Sequence, residues 1–299
     1  MIMKNKIKKL FLWMLVAVVA ISAAIIVYGY LTDWQWLRHT DIPSDEAILT
    51  VKILSVGDAN AIVVESAGKV MVVDMGEEND ASHLKQIIDS FDNRIVDVLV
   101  ITHPHYDHYG GFKALVDHRI TATYISPADS NASGYSYCLD YISARCDNIV
   151  KVNPGMTFEL GNALVTVIGP LDKEYDNLND SSVILKITAG SVDILFPGDA
   201  TGTEMDDIMD SGIDIESDIL LLAHHGSSAD GANSYRLLRE VFPSAVIISS
   251  AGEASDEGFP HERVLSRLRD LGCTIYRTDL DGDITITTNG TTYEITTEK

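Results

Sequence analysis

The stretch Ile101-Thr-His-Pro-His-Tyr-Asp-His-Tyr-Gly-Gly111 places three histidines and an aspartate within six positions. Neighbouring imidazoles that all protonate repel one another, so a cluster this dense answers to a cation that holds the rings neutral. A divalent metal suits that donor set. Other groups have the chemistry to complete such a site. Asp74 closes an apolar run just before Met75-Gly76, where a buried carboxylate has to be paired or lie near a metal. Asp199 ends Ile194-Leu-Phe-Pro-Gly-Asp199 in the same way. His224 and His225 follow a third apolar run, and adjacent residues of an extended chain point to opposite faces, so one of the pair is expected to share a metal with Asp199. Asn179-Asp-Ser-Ser182 offers polar groups for a metal or an anionic substrate. His261 stands beside Pro260 at a helix start. His39, His83 and His118 have no companions and are expected to be solvated.

These groups need rigid elements to hold them. Residues 48–54, 61–64 and 70–74 are apolar and β-branched, and turn signals at Gly57 and Gly68 divide them into a meander. Leu84, Ile87, Ile88 and Phe91 repeat at helical spacing, and residues 96–102 form the buried strand that delivers the histidine cluster. The pattern then alternates. Residues 158–171 and 182–196 are predicted hairpins turning at Gly161 and Gly190; residues 218–223 and 245–249 are buried strands. Helices are predicted over 203–209, 234–241 and 260–271, and Asn289-Gly290 marks a C-terminal hairpin. Residues 279–283, Asp-Leu-Asp-Gly-Asp, are read as another hairpin turn. Meanders first and βα units later, in both halves, imply two packed sheets with helices outside. The metal candidates then fall at strand ends, where α/β folds place their chemistry.

Residues 10–31, from Leu10 to Leu31, carry no charge, and Lys4, Lys6, Lys8 and Lys9 precede them. At about 1.5 Å per residue the run spans about 33 Å, enough to cross a bilayer. The leading lysines place the N-terminus in the cytoplasm and the rest of the chain outside, as a single-pass membrane protein. The expected organisation is a cytoplasmic basic segment at 1–9, an anchor at 10–31, a linker at 32–46 and a catalytic domain at 47–299. No acidic residue precedes Asp33, so the outer part holds all 44 acidic residues against 18 of the 22 basic ones. Such a surface repels nucleic-acid backbones and anionic lipid unless cations intervene. Cys138 and Cys146 fall in a stretch read as helical, about 12 Å apart and beyond disulfide reach.

His103-x-His105-x-Asp107-His108, with Asp74, Asp199 and a later histidine, resembles the metallo-β-lactamase superfamily. Val56-Gly-Asp-Ala-Asn-Ala-Ile62, Asn179-Asp-Ser-Ser182, His224-His-Gly-Ser227 and Tyr276-Arg-Thr-Asp-Leu-Asp-Gly282 resemble the extracellular hydrolase domains of ComEC-like DNA-competence proteins. The resemblance implies an α/β fold, an αββα sandwich with the site along one edge between the sheets. It also implies two divalent metal ions, zinc or manganese. His103 and His105 would hold one; Asp107, His108 and one of His224 or His225, with His225 favoured, would hold the other; Asp199 would bridge them. Asp74 would brace the loop, Asp107 and His224 would serve catalysis, and Asn179, Ser181, Ser182 and His261 would contact substrate. A metal-bridged hydroxide would cleave phosphodiesters, with DNA or a cell-wall polymer as the substrate partner. The alternatives are an anchored, non-catalytic binding protein on the same fold, or a hydrolase of lactams or carboxylic esters. The chain departs from the superfamily pattern in three places: no histidine occurs between His118 and His224, Asn60 stands at the usual acidic position with Asp58 two places earlier, and Phe259 replaces a histidine before Pro260. Asn179, Ser181 or Ser182 would replace the absent histidine.

Overall fold

The computed structural model describes residues 46–299 apart from 92, 93, 147 and 172. Among them no helix is long and apolar enough to cross a membrane. The expected anchor at residues 10–31, and His39, lie outside the described residues.

Two sheets face each other. The first runs in the order β15-β14-β1-β2-β3-β4-β5-β6. Its strands are β1 (Leu49–Ile53), β2 (Ala61–Ser66), β3 (Lys69–Met75), β4 (Ile95–Ile101), β5 (Arg119–Ile125), β6 (Ile149–Lys151), β14 (Ile284–Thr288) and β15 (Tyr293–Thr297). The second runs β13-β12-β11-β10-β9-β8-β7. It comprises β7 (Thr157–Leu160), β8 (Ala163–Gly169), β9 (Ile184–Ala189), β10 (Val192–Phe196), β11 (Ile219–Leu221), β12 (Ala245–Ile248) and β13 (Thr274–Arg277). Alternate residues of each strand meet between the sheets: Val51, Ile62, Val64 and Val73 pack with Val165, Leu185, Ile194 and Phe196.

The opposite faces are covered by helices. α1 (Ala81–Asp89), α2 (Tyr106–Tyr109) and α3 (Ser133–Ser143) belong to the first half of the chain. Leu84, Ile88, Cys138 and Ile142 of α1 and α3 pack on Val63, Val72 and Leu99 of the first sheet. α4 (Gly202–Ser211), α5 (Tyr235–Val241) and α6 (Glu262–Leu271) cover the second sheet through Ile208, Leu238, Val264 and Leu268. Coverage on both faces explains why β2, β3 and β10 read as near-continuous apolar runs.

The turns at Gly161, Gly190 and Asn289-Gly290 close antiparallel hairpins, and all three glycines have positive φ. Three sequence readings change. Residues 279–283 do not form a hairpin turn, because β13 and β14 lie in different sheets and the segment crosses between them through the helical turn α7 (Thr278–Asp281). Its aspartates satisfy backbone donors there: Asp281 accepts the Arg277 amide at 2.7 Å and Asp283 the Ser55 amide at 2.9 Å. His118 is buried rather than solvated, 3.1 Å from Asp89, and His83 lies 2.8 Å from Asp283. Helix α3 stops at Ser143, short of Cys146; both cysteines are buried and free.

The β7–β8 turn abuts the first sheet. A Cβ on Gly161 would lie 2.1 Å from the Ser66 carbonyl oxygen, whereas one on Gly68 would meet nothing within 4 Å. Both glycines have positive φ, so alanine strains the backbone at either site, and only Gly161→Ala adds a clash between the sheets. Urea unfolding should therefore show Gly161→Ala less stable than Gly68→Ala by about 1–3 kcal/mol. Equal losses would mean that the sheets are not in close contact here.

Candidate metal centre

Four strand ends meet on one edge. Asp74, next to last in β3, lies in the left-handed region at φ 56°, a strained conformation for a residue with a side chain. Its carboxylate accepts the Thr102 amide at 2.8 Å and the Thr102 hydroxyl at 2.7 Å, and lies 2.6 Å from His108 Nδ1. Thr102 follows β4. With Nδ1–H of His108 donated to Asp74, its buried Nε2 is turned toward Asp107 and Asp199. The loop is seated by glycine: a Cβ on Gly111 would fall 2.0 Å from the Met75 carbonyl oxygen.

Asp199 follows β10 in the Pro197-Gly198 turn, and its amide donates to Ser182 Oγ at 3.1 Å. Its Oδ2 sits among four imidazoles, 3.3 Å from Nε2 of His108, 3.6 Å from that of His225, 3.8 Å from that of His103 and 4.0 Å from that of His224. Asp107 Oδ2 lies 3.1 Å from His108 Nε2 and 3.5 Å from His225 Nε2. His103 Nε2 and His105 Nδ1 are 2.9 Å apart.

Beyond β11 the chain enters a tight turn in which His224 and His225 are both left-handed, at φ 47° and 52°. The alternation of an extended strand therefore does not apply, and both rings reach the Asp199 carboxylate. His225 is buried, with Nδ1 3.1 Å from the Ser249 carbonyl oxygen, so Nδ1 carries the proton and Nε2 faces the carboxylates. His224 is partly exposed at the cleft. Asn233 holds the turn: its Oδ1 accepts the Ala223 amide at 3.1 Å, and its Nδ2 donates to the carbonyls of Ala223 and Ser227, each at 2.8 Å. Sequence reasoning missed Asn233, because an asparagine in a polar loop carries no signal of what it touches.

Does a metal fit? His108 Nε2, His225 Nε2 and Asp199 Oδ1 are buried without hydrogen-bond partners. Among the described residues, Asp107, His108, Asp199 and His225 each offer one donor atom within 4.8 Å of the others. Bonds of about 2.0–2.1 Å at tetrahedral angles place donors about 3.3 Å apart. The separations of 3.1 to 3.6 Å match that spacing. The residues present thus fit a divalent ion.

The electrostatics agree. Burial pulls His108 down, but Asp199, Asp74 and Asp107 outweigh it and hold the ring well above its usual range. His225 is likewise lowered by burial yet pushed up to about 10, chiefly by Asp199. Burial works against ionised Asp199, but His108 and His225 hold it well below the usual carboxylate range. Burial and the neighbouring His108 push His103 well down. Without a metal, protons on imidazole supply the positive charge that these carboxylates require.

The remaining expected residues separate into two groups. Asn179, His224 and His261 line a cavity of about 390 Å³ in front of the cluster, and Asn179 Oδ1 has no donor. Both nitrogens of His261 are engaged: Nδ1 accepts the Ser228 amide at 2.9 Å and Nε2 lies 3.3 Å from the Glu257 carbonyl oxygen. Ser182 and Ser181 do not line this cavity. Ser182 is fully buried, its hydroxyl committed to the Asp199 amide, and Ser181 borders a neighbouring cavity. Phe259 packs against His224 at 5.3 Å and His225 at 6.1 Å between ring centroids, forming an apolar wall.

A two-sheet α/β sandwich carrying a histidine and aspartate cluster on one edge defines a fold with a candidate metal centre. Residues 54–249 match the Metallo-beta-lactamase superfamily, and the chain belongs to it. Competence protein ComA of Neisseria gonorrhoeae is 27% identical over 248 residues, covering 82% of this chain and 33% of ComA. ComE operon protein 3 of Bacillus subtilis (strain 168) is 25% identical over 191 residues, 63% of this chain and 24% of that protein. The chain thus spans about a third or less of these relatives. In fold it is similar to CmlA, a diiron beta-hydroxylase from Streptomyces venezuelae, with TM-score 0.55 and 17% identity over 80% of this chain and 54% of CmlA. It is also similar to Zn(2+)-bound PqqB from Methylobacterium extorquens, with TM-score 0.52 and 14% identity over 79% and 99% of the two chains.

If Asn233 holds the histidine turn in place, Asn233→Ala should lower metal affinity about 10- to 100-fold, as loss of a residue supporting the ligands does. Competition against a chelator measures this. Unchanged affinity in a folded variant would remove Asn233 from the positioning of His225.

Proposed function

We propose that the chain is a membrane-anchored metal-dependent hydrolase that faces the outside of the cell and cleaves phosphodiesters. The observation that carries this reading is the Asp199 carboxylate with four imidazole nitrogens within 4.0 Å. In this reading Asp107, His108, Asp199 and His225 would hold a divalent ion, and His103 and His105 would hold a second beside Asp199. Bound ions would supply a nucleophile at neutral pH and Lewis acids for the charge developing on phosphoryl oxygens.

The chain's own residues do the rest. Hydrolysis adds water across a P–O bond, and the departing oxygen must gain a proton. His224 borders the cavity, and burial lowers its basicity so that the ring is neutral at neutral pH. It takes a proton from the attacking water and returns it to the leaving oxygen. Asn179 lines the same cavity, where its side-chain amide N–H would donate to a phosphoryl oxygen. Asp74 and Thr102 fix the rotamer and tautomer of His108, and Ser182 fixes the Asp199 turn. The uncharged residues 10–31 behind four lysines support anchoring with the domain outside. The resemblance to DNA-competence domains makes DNA one candidate substrate and a phosphodiester-bearing cell-wall polymer another.

The test is hydrolysis of bis(p-nitrophenyl) phosphate by the full-length chain with manganese or zinc, beside Asp199→Ala. Metal-dependent cleavage lost in the variant is the expected outcome. A folded, metal-loaded protein that cleaves no phosphodiester, or a fully active Asp199→Ala, would overturn the reading.

A further inference from the structure

The acidic balance of the chain reverses at one place. The chain holds 44 acidic and 22 basic residues, yet α5 and α6 carry five of its ten arginines, Arg236, Arg239, Arg263, Arg267 and Arg269, against three acids, Glu240, Glu262 and Asp270. Two of the arginines are neutralised, since Arg236 lies 3.1 Å from Asp206 and 2.5 Å from Asp210, and Arg269 pairs with Glu262. Arg239 and Arg263 are exposed, and among the described residues neither pairs with a carboxylate. Arg267 donates from Nη1 to the Asn233 carbonyl oxygen at 2.6 Å and likewise has no acidic partner there. No lysine stands between Lys186 and Lys299, so the positive charge of this half comes entirely as guanidinium forks.

Tyr235 organises two of the three unpaired guanidiniums. Its ring centroid lies 5.5 Å from Arg239 Cζ and 5.7 Å from Arg267 Cζ, within cation–π range. The ring is fixed across the two helices by its hydroxyl, which donates to Asp270 at 2.5 Å. Arg263 stands one turn before Arg267, so two like charges share a face of α6 and repel one another. Burial, and then the neighbouring Arg263, lowers the basicity of Arg267. An anion would relieve this crowding, and acids twice as numerous as bases have left it unmet. A planar fork grips a phosphate through two parallel hydrogen bonds, which suits three such forks beside an aromatic ring. α6 follows directly on His261, which lines the cavity before the metal cluster, and Asn233 holds the histidine turn, so the arginines adjoin that centre. We propose that Arg239, Arg263 and Arg267 form a second anion site, apart from the metal donors, that binds a phosphate group across α5 and α6. The site stands whether or not the metal centre cleaves phosphodiesters.

Calorimetric titration of pyrophosphate into the metal-free full-length chain at low salt reads this site with no metal ion to capture the anion. Saturable binding is expected, weakened about tenfold by Arg239→Gln and by Arg263→Gln. Arg236→Gln, whose charge is already met by aspartates, should weaken it less than about twofold. All three arginines are exposed, so the variants fold and differ in which charge is lost. No saturable heat, binding indifferent to Arg239→Gln and Arg263→Gln, or equal weakening by all three substitutions overturns the proposal; the last outcome is a diffuse field and not a site. The source of the phosphate is read with the metal-loaded chain. If it is the next phosphate of a polymeric substrate, Arg239→Gln and Arg263→Gln lower kcat/KM for an oligonucleotide or poly(glycerol phosphate) about tenfold and leave bis(p-nitrophenyl) phosphate unchanged. Unchanged rates on the polymers, with pyrophosphate binding weakened as expected, assign the site to a free anion. Failure to cleave any phosphodiester overturns the phosphodiesterase reading alone, because the calorimetric result is independent of turnover.

Discussion

Two buried carboxylates, Asp74 and Asp199, and a partly buried third, Asp107, converge on one edge of the sandwich, and the positive charge they demand organises the site. Carboxylates removed from water are costly unless paired and hydrogen-bonded. Here Asp74 is answered by Thr102 and His108, and Asp199 by His108 and His225. His108 touches both systems, one ring nitrogen for each. That places the imidazole between a carboxylate that fixes its tautomer and the Asp107 and Asp199 carboxylates, which its other nitrogen faces without a hydrogen bond.

The surrounding fold makes this arrangement tolerable. Asp74, His224, His225 and Asn233 all have positive φ, so backbone strain is concentrated in the elements that deliver the site. Asp74, His224 and His225 sit at or just beyond the ends of strands packed on both faces, and the sheets hold what the loops alone would relax. Parallel pairing of β3 with β4 and of β10 with β11 brings the carboxyl ends of those strands to the same edge. Asp74, Thr102, Asp199 and Ala223 fall at or just beyond those ends. The position of the chemistry is therefore a consequence of topology, and its precision a consequence of side chains such as Asn233 and Ser182.

Much of this was legible from residue types. Apolar runs broken by Gly, Pro or Asp marked β3, β4 and β10, and the spacing of His103, His105, Asp107 and His108 carried its own chemical meaning. Asp74 and Asp199 stood out because an acid at the end of a buried strand needs a reason. What stayed hidden depended on backbone dihedrals and on long-range contacts. Period-2 alternation argued that one of His224 and His225 shares a metal with Asp199; His225 alone joins the donor group, but through two successive left-handed residues rather than through the alternation of a strand. Ser182 looked like a substrate group because sequence cannot show that its hydroxyl is already taken. Asp58 and Glu257 reach one cavity from positions nearly 200 residues apart, and no local pattern joins them.

The central claim is that a divalent cation replaces protons on the imidazoles of this cluster. Calorimetric titration of manganese or zinc into the metal-free full-length chain, in two buffers of different ionisation heat, measures the protons exchanged. His225 is held up to about 10 by Asp199, so at pH 7 it is protonated without metal and must lose that proton to bind one. The expected result is proton release on binding at pH 7, with affinity rising as pH increases toward 10. Failure to bind, or binding without proton release, would contradict it.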